Sequence, residues 1–167
     1  VLEVLDLFYS TKQLESAKFI SAYYICSLGE ALGLMIPFET NKIQNESSHN
    51  EVIESMITLS DRQNEAFEFL KKHKVSLLFG DTGSGKSEIY MRYFEEMIEQ
   101  KKRSIFLMPE ISLTPQMSKR LKTHFGESVV MWHSKLTPKQ KKESICKIYD
   151  ESAMIVAGPR SALFLPI

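Results

Sequence analysis

The chain has 167 residues, 43% hydrophobic and 25% charged, with a formal net charge of zero, a composition that excludes a disordered or fibrous chain. No apolar run approaches the ~20 residues of a membrane span, and no basic-then-apolar leader opens the sequence. Cys26 and Cys146 stand far apart and outside any C-x-x-C pattern, which suggests neither a disulfide framework nor a zinc site and predicts a reducing, cytoplasmic setting. A start at Val1 rather than Met predicts a fragment of something longer.

In chain order, Val1 to Leu7 is a short β-prone run, and Gln13 to Cys26 carries apolar residues at the spacing of an amphipathic helix. Tyr23 and Tyr24 on it are assigned to the core rather than to a base-stacking platform, because aromatic residues at helical spacing are usually buried. Leu28 to Ile36 reads as a second short helix ended by Pro37, and the polar stretch Glu39 to Asn50 as a linker. Ser60 is a good N-cap for a helix over Asp61 to Lys74, with acidic residues in its first turns and Lys71, Lys72 and Lys74 at its end. Strand-like runs follow at Val75 to Phe79, Ser104 to Met108, Val129 to Trp132 and Met154 to Ala157. Between them lie the helical run Ile89 to Ile98 and helices opened by Thr114-Pro115 and Thr137-Pro138, where threonine caps and proline occupies the first helical position. Alternating strands and helices predict an α/β lobe with a parallel sheet and right-handed crossovers.

The first strand-like run leads into Gly80-Asp81-Thr82-Gly83-Ser84-Gly85-Lys86-Ser87, which fills G-x-x-x-x-G-K-S without a departure. Glycines let the backbone curl so that successive N–H groups ring an anion, and the following helix aims the positive end of its dipole at the same place. Lys86 supplies a charge for the β/γ-phosphates and Ser87 a hydroxyl for Mg²⁺, which makes these two the candidate catalytic residues. Gly80, Asp81, Thr82, Gly83, Ser84 and Gly85 complete the candidate ATP cradle.

Charge is uneven along the chain. Residues 1 to 100 carry nine Lys/Arg against sixteen Asp/Glu, whereas residues 101 to 147 carry eleven against three. The basic half suits a polyanion such as nucleic acid, or equally the solvated faces of helices.

In open parallel sheets ligands bind beyond the carboxyl ends of the strands. Here those ends read Pro109-Glu110-Ile111-Ser112-Leu113-Thr114-Pro115-Gln116, then His133-Ser134-Lys135, then Gly158-Pro159-Arg160-Ser161-Ala162-Leu163-Phe164-Leu165-Pro166. Together with Gly-Asp-Thr-Gly-Ser-Gly-Lys-Ser-Glu, and in this order, they resemble the PriA family (primosomal protein N′) of bacterial replication-restart helicases, in helicase superfamily two. The family usually has threonine at the positions of Ser87 and Pro159; the first change keeps the hydroxyl and the second keeps Arg160.

The resemblance implies a RecA-like P-loop NTPase lobe with an incomplete sheet over residues 59–167. It implies a small α+β remnant of a DNA-binding domain over 1–38 and a linker over 39–58, too short for the winged-helix domain the family usually places there. It implies a 3′-to-5′ DNA helicase acting with ATP and Mg²⁺ at stalled forks. Its partners would be single-stranded and forked DNA, primosome proteins and single-stranded-DNA-binding protein. Gln63 then takes the place of the glutamine set against adenine, a role an amide suits because it both donates and accepts; without the resemblance it reads as a surface residue. Thr114, Gln116, Arg160 and Ser161 fall where the family touches DNA phosphates, and Thr114 could equally serve only as a helix cap.

Hydrolysis also needs a Mg²⁺-holding acid at a strand end. The family's Asp-Glu-x-His is expected beyond Ile167, and its zinc-binding cysteines later still, so the chain is expected to bind nucleotide without turning it over. Glu110 is assigned to pairing with a basic neighbour or an amide, His133 to a structural role rather than to coupling the two sites, and Trp132 to the core. Two other readings remain at this point: a fork-DNA-binding scaffold without turnover, and an unrelated P-loop kinase or transport ATPase.

Overall fold

The computed structural model describes residues 9–35, 57–109 and 115–167. Val1 to Leu7, nearly all of the 39–58 linker, Glu110 and Thr114 lie outside the described residues. The elements are α1 (Thr11–Tyr24), α2 (Leu28–Leu34), α3 (Asp61–Lys72), α4 (Lys86–Glu99), β1 (Ser104–Leu107), α5 (Pro115–Phe125), β2 (Val129–Met131), α6 (Pro138–Tyr149) and β3 (Ile155–Gly158), with a 3₁₀ turn over Arg160–Phe164.

The helices start where their caps dictate. Ser10 with Gln13, Ser27 with Glu30 and Thr137 with Gln140 each form a reciprocal capping box, in which hydroxyl and side-chain carbonyl satisfy otherwise open backbone N–H groups. At α3 the Ser60 N–H donates to Gln63 Oε1 at 2.9 Å.

The three strands are parallel in the order β1-β3-β2, with Ser104 to Leu107 opposite Ile155 to Gly158, and Val129 to Met131 opposite Ile155 to Ala157. The chain skips a place from β1 to β2 and returns to fill it with β3, so right-handed crossovers put α5 and α6 on opposite faces. The packing agrees. One face buries Met131, Val129, Ile155 and Ala157 under Met91 and Phe94 of α4 and Leu121 and Phe125 of α5. The other buries Val130, Trp132 and Val156 under Ile145 and Ile148 of α6, with Ala162 and Leu165. All four residues of β3 are buried, as a central strand with both faces covered requires. Trp132 is core, as its sequence context implies. The α1–α2 pair packs Ala17, Ala31 and Met35 together, with Phe164 of the 3₁₀ turn against them.

Two expectations are corrected. Val75 to Phe79 does not form a strand: Val75, Leu77 and Phe79 are 91%, 90% and 89% exposed. An apolar alternation becomes a strand only when a neighbour satisfies its backbone groups, and among the described residues none pairs with it. Tyr23 and Tyr24 are not core; they are 67% and 70% exposed. The buried residues of α1 are Gln13 and Ala17, in its first two turns, and the helix ends at Ile25 in a left-handed conformation.

Leu121→Ala therefore removes a side chain with no exposed surface and is expected to lower stability by about 2–5 kcal/mol, whereas Tyr24→Ala is expected to stay within about 0.5 kcal/mol, both read by denaturant unfolding.

Candidate nucleotide and nucleic-acid sites

The glycine-rich loop is shaped by its own backbone. Gly83 and Gly85 have φ of 85° and 82°, values that glycine adopts without cost, and Gly85 is the N-cap from which α4 starts at Lys86. A Cβ on Gly80 would meet Ser84 Oγ at 2.7 Å, and one on Gly85 would displace the Gln63 amide; both are side-chain ends that can move, so φ is the stricter demand at Gly83 and Gly85. The loop encloses a cavity of about 600 Å³ lined by Gln63, Thr82, Gly83, Ser84, Gly85, Lys86, Ser87, Glu88 and Arg120.

This donor set fits a nucleotide phosphate. The first N–H groups of α4 open into the cavity end of the helix, where no preceding turn accepts them, and the helix dipole adds positive potential. Lys86 Nζ donates to the carbonyl oxygens of Gly80 and Asp81, at 2.5 and 2.7 Å, which holds the ammonium folded over the loop. Gly80 and Asp81 thus enter the site through their carbonyls. Ser87 lines the cavity beside Lys86, placed to offer a hydroxyl to Mg²⁺ bridging a nucleotide. No cluster of three His, Cys, Asp or Glu side chains able to hold a metal occurs among the described residues.

The structure brings Gln63 to the loop. Its Nε2 donates to the Gly85 carbonyl at 3.2 Å while Oε1 accepts from Ser60. One N–H and one lone pair remain, enough to donate to and accept from an adenine edge without releasing either bond.

Sequence reasoning missed Arg120. From the second turn of α5 its Nη2 donates to Glu88 Oε1 at 2.6 Å, which places a guanidinium in the nucleotide cavity. That bond is the main cause that holds the Glu88 carboxyl below its ordinary 4.5; the Glu88 backbone N–H and the arginine charge help, against some desolvation. No local motif marks Arg120, because the pairing joins residues 32 positions apart.

A second cavity, of about 1070 Å³, opens at the carboxyl ends of all three strands. Met108 and Pro109, His133 and Ser134, and Pro159, Arg160 and Ser161 line it, joined by Lys141 of α6 and by Gly33 and Leu34 of α2. Arg160 and Ser161 are thus together and exposed. Gln116 stands exposed in the first turn of α5 and is not among the lining residues of either cavity. Lys141 and α2 are additions the sequence did not mark. Gly158 makes the mouth possible, since a Cβ there would meet the Trp132 carbonyl at 2.5 Å.

No described helix is long and apolar enough to cross a membrane. Comparison with known proteins places this geometry. Residues 60–165 match the DEAD/DEAH box helicase family. The chain is similar to the Replication restart protein PriA of Helicobacter pylori (strain ATCC 700392 / 26695), 46% identical over 167 residues, covering 99% of this chain and 26% of that protein. It is 44% identical over 116 residues to the protein of the same name from Bacillus subtilis (strain 168), covering 66% of this chain and 14% of that one, and 33% identical over 167 residues to that of Rickettsia felis, covering 97% and 26%. The chain spans about a quarter of the Helicobacter pylori relative it matches.

Two outcomes follow from the loop. Gly85→Ala strains a left-handed position and displaces Gln63, and is expected to weaken nucleotide binding at least about tenfold in a fluorescence titration. Because the folded-state pKa of Glu88 is depressed, the stability its arginine pair adds is present above pH 4.5 and is lost as pH falls through the lower folded value. Glu88→Gln is therefore expected to narrow the stability difference between pH 6 and pH 3.5, measured by urea unfolding at each pH.

Proposed function

Since the chain belongs to the DEAD/DEAH box helicase family, we propose that it is the nucleotide-binding part of an ATP-dependent DNA helicase of the PriA type, acting in replication restart. The observation that carries this is the glycine loop closing on the start of α4 while the loops after β1, β2 and β3 gather at a separate open mouth. Lys86, now bonded to the Gly80 and Asp81 carbonyls, would hold the β/γ-phosphates, and the N–H groups of the loop and of the α4 terminus would hold the other phosphate oxygens. Ser87 would hold Mg²⁺ through its hydroxyl, and the ion would supply charge neutralisation. Gln63 positions the base.

At the other mouth Arg160 and Ser161 hold the sugar-phosphate backbone of single-stranded or forked DNA without reading sequence, as a protein that steps along any strand requires, with Gln116, exposed in the first turn of α5, and Thr114, two positions before it in the sequence, as further phosphate contacts. Lys141 adds a cation to the same surface. Residues 1–38 belong to a fork-binding domain and 39–58 to its linker; α2 already reaches the mouth through Gly33 and Leu34. Translocation is 3′-to-5′, in a bacterial cytoplasm, with primosome proteins and single-stranded-DNA-binding protein as partners. The described strands end in Met108-Pro109, Trp132-His133 and Pro159-Arg160. The PriA resemblance assigns the metal-holding carboxylate for turnover, and the zinc-binding cysteines, to family motifs that residues 1–167 do not contain.

Lys86→Ala is expected to abolish nucleotide binding and DNA-stimulated ATP hydrolysis by the protein; binding indistinguishable from wild type would refute the site. Arg160→Ala is expected to weaken single-stranded DNA binding about equally for all sequences and to reduce the slope of log affinity against log salt by roughly 1. An unchanged slope would remove Arg160 from the phosphate contacts.

A further inference from the structure

Helices α4 and α5 run in the same sense on one face of the sheet, and two polar pairs join them. Arg120 Nη2 meets Glu88 Oε1 at 2.6 Å, and His124 Nε2 meets Glu95 Oε1 at 2.5 Å. Arg120 and His124 are one turn apart on α5; Glu88 and Glu95 are two turns apart on α4. Leu121 and Phe125 pack between the helices with Met91 and Phe94.

The two pairs differ in what they can do. Glu95 is 1% exposed and also accepts from the Ile57 N–H, at 3.1 Å, and from Arg92, at 3.2 Å. A carboxylate with that many partners inside the protein is a fixed pivot, because releasing any one of them leaves a buried group unsatisfied. The Arg120–Glu88 pair is partly exposed, lines the nucleotide cavity and follows directly on Ser87. A guanidinium has five donors and the bond to Glu88 engages Nη2, so phosphate oxygens entering the cavity can take its other donors and share the cation with Glu88. They also bring negative charge beside the Glu88 carboxylate. A displacement of Arg120 would be carried by the first two turns of α5, which hold both Arg120 and Gln116.

On the reading of this chain as a nucleotide- and DNA-binding helicase lobe, we propose that Arg120 is a positioning residue that, through Glu88, passes phosphate occupancy of the glycine loop to the amino-terminal end of α5 and so to its contact with DNA.

The test measures the affinity of the protein for a labelled single-stranded oligonucleotide by fluorescence anisotropy, with and without Mg²⁺ and a non-hydrolysable ATP analogue. The wild type is expected to show a nucleotide-dependent change in DNA affinity of about fivefold or more. Arg120→Gln is expected to bring that factor, compared at saturating analogue, to within about twofold of one while leaving DNA affinity without nucleotide within about threefold. Arg120→Lys, which keeps the charge, is expected to retain part of the factor, a rescue that loss of packing would not give. Glu88→Gln is expected to match Arg120→Gln, and the double variant to add nothing further. A wild type that binds both ligands with a factor of one, or an Arg120→Gln protein with the full factor, overturns the inference and leaves the two sites standing. Loss of the underlying reading is distinguishable: it appears as nucleotide binding unaffected by Lys86→Ala, or as no DNA binding by the wild type.

Discussion

Everything at the nucleotide site depends on where α4 is anchored. Met91 and Phe94 bury against β3 and the adjoining strands, and Glu95 ties the helix to Ile57 and His124, so the helix axis is fixed well below the loop it serves. Its first turn is consequently held at a set height at the edge of the sheet, with open N–H groups presented to the cavity. The glycines then need only complete a ring that the helix has positioned. A loop of the same composition on a mobile segment would have the donors but would have to order them at each binding event, at an entropic cost per residue of about 1–2 kcal/mol.

The same sheet edge separates two chemistries. Parallel strands deliver all their carboxyl-terminal loops to one side, and the crossovers send α5 and α6 to opposite faces, which leaves an open mouth between the ends of β1, β2 and β3. Arg160, His133 and Lys141 come to that mouth from three different elements. Trp132 and His133, which follow β2, both line that mouth; Trp132 is also buried with Val130, Ile145 and Ile148 on the α6 side, whereas His133 is only half-buried.

Much of this was legible in the sequence where the determinants are local. Ser/Thr followed three residues later by Gln or Glu marks helix starts because the two groups satisfy each other, and three such pairs do so here. The spacing of Gly80, Gly83, Gly85, Lys86 and Ser87 is equally local, as each residue acts through its own backbone or side chain. Determinants that depend on a distant partner were not legible. Val75, Leu77 and Phe79 have the pattern of a strand, but pairing is a property of two segments. Tyr23 and Tyr24 have helical spacing, but burial needs a partner packed over the side chain, and Ala17 and Ile20 meet Ala31 and Met35 while the tyrosines are left exposed. Arg120 enters the cavity only because α5 packs beside α4, a consequence of the β1-β3-β2 order that no window of sequence contains.

The central claim is that phosphate is held by the backbone N–H groups at the start of α4. Amide chemical shifts in a ¹⁵N-labelled sample, followed as Mg²⁺ and ADP are added, test it most directly. The account predicts that the largest shifts fall on Gly83, Ser84, Gly85, Lys86 and Ser87, with smaller ones on Gln63 and Arg120 and little change in α6. Saturable shifts centred elsewhere, with those five amides unmoved, would contradict it.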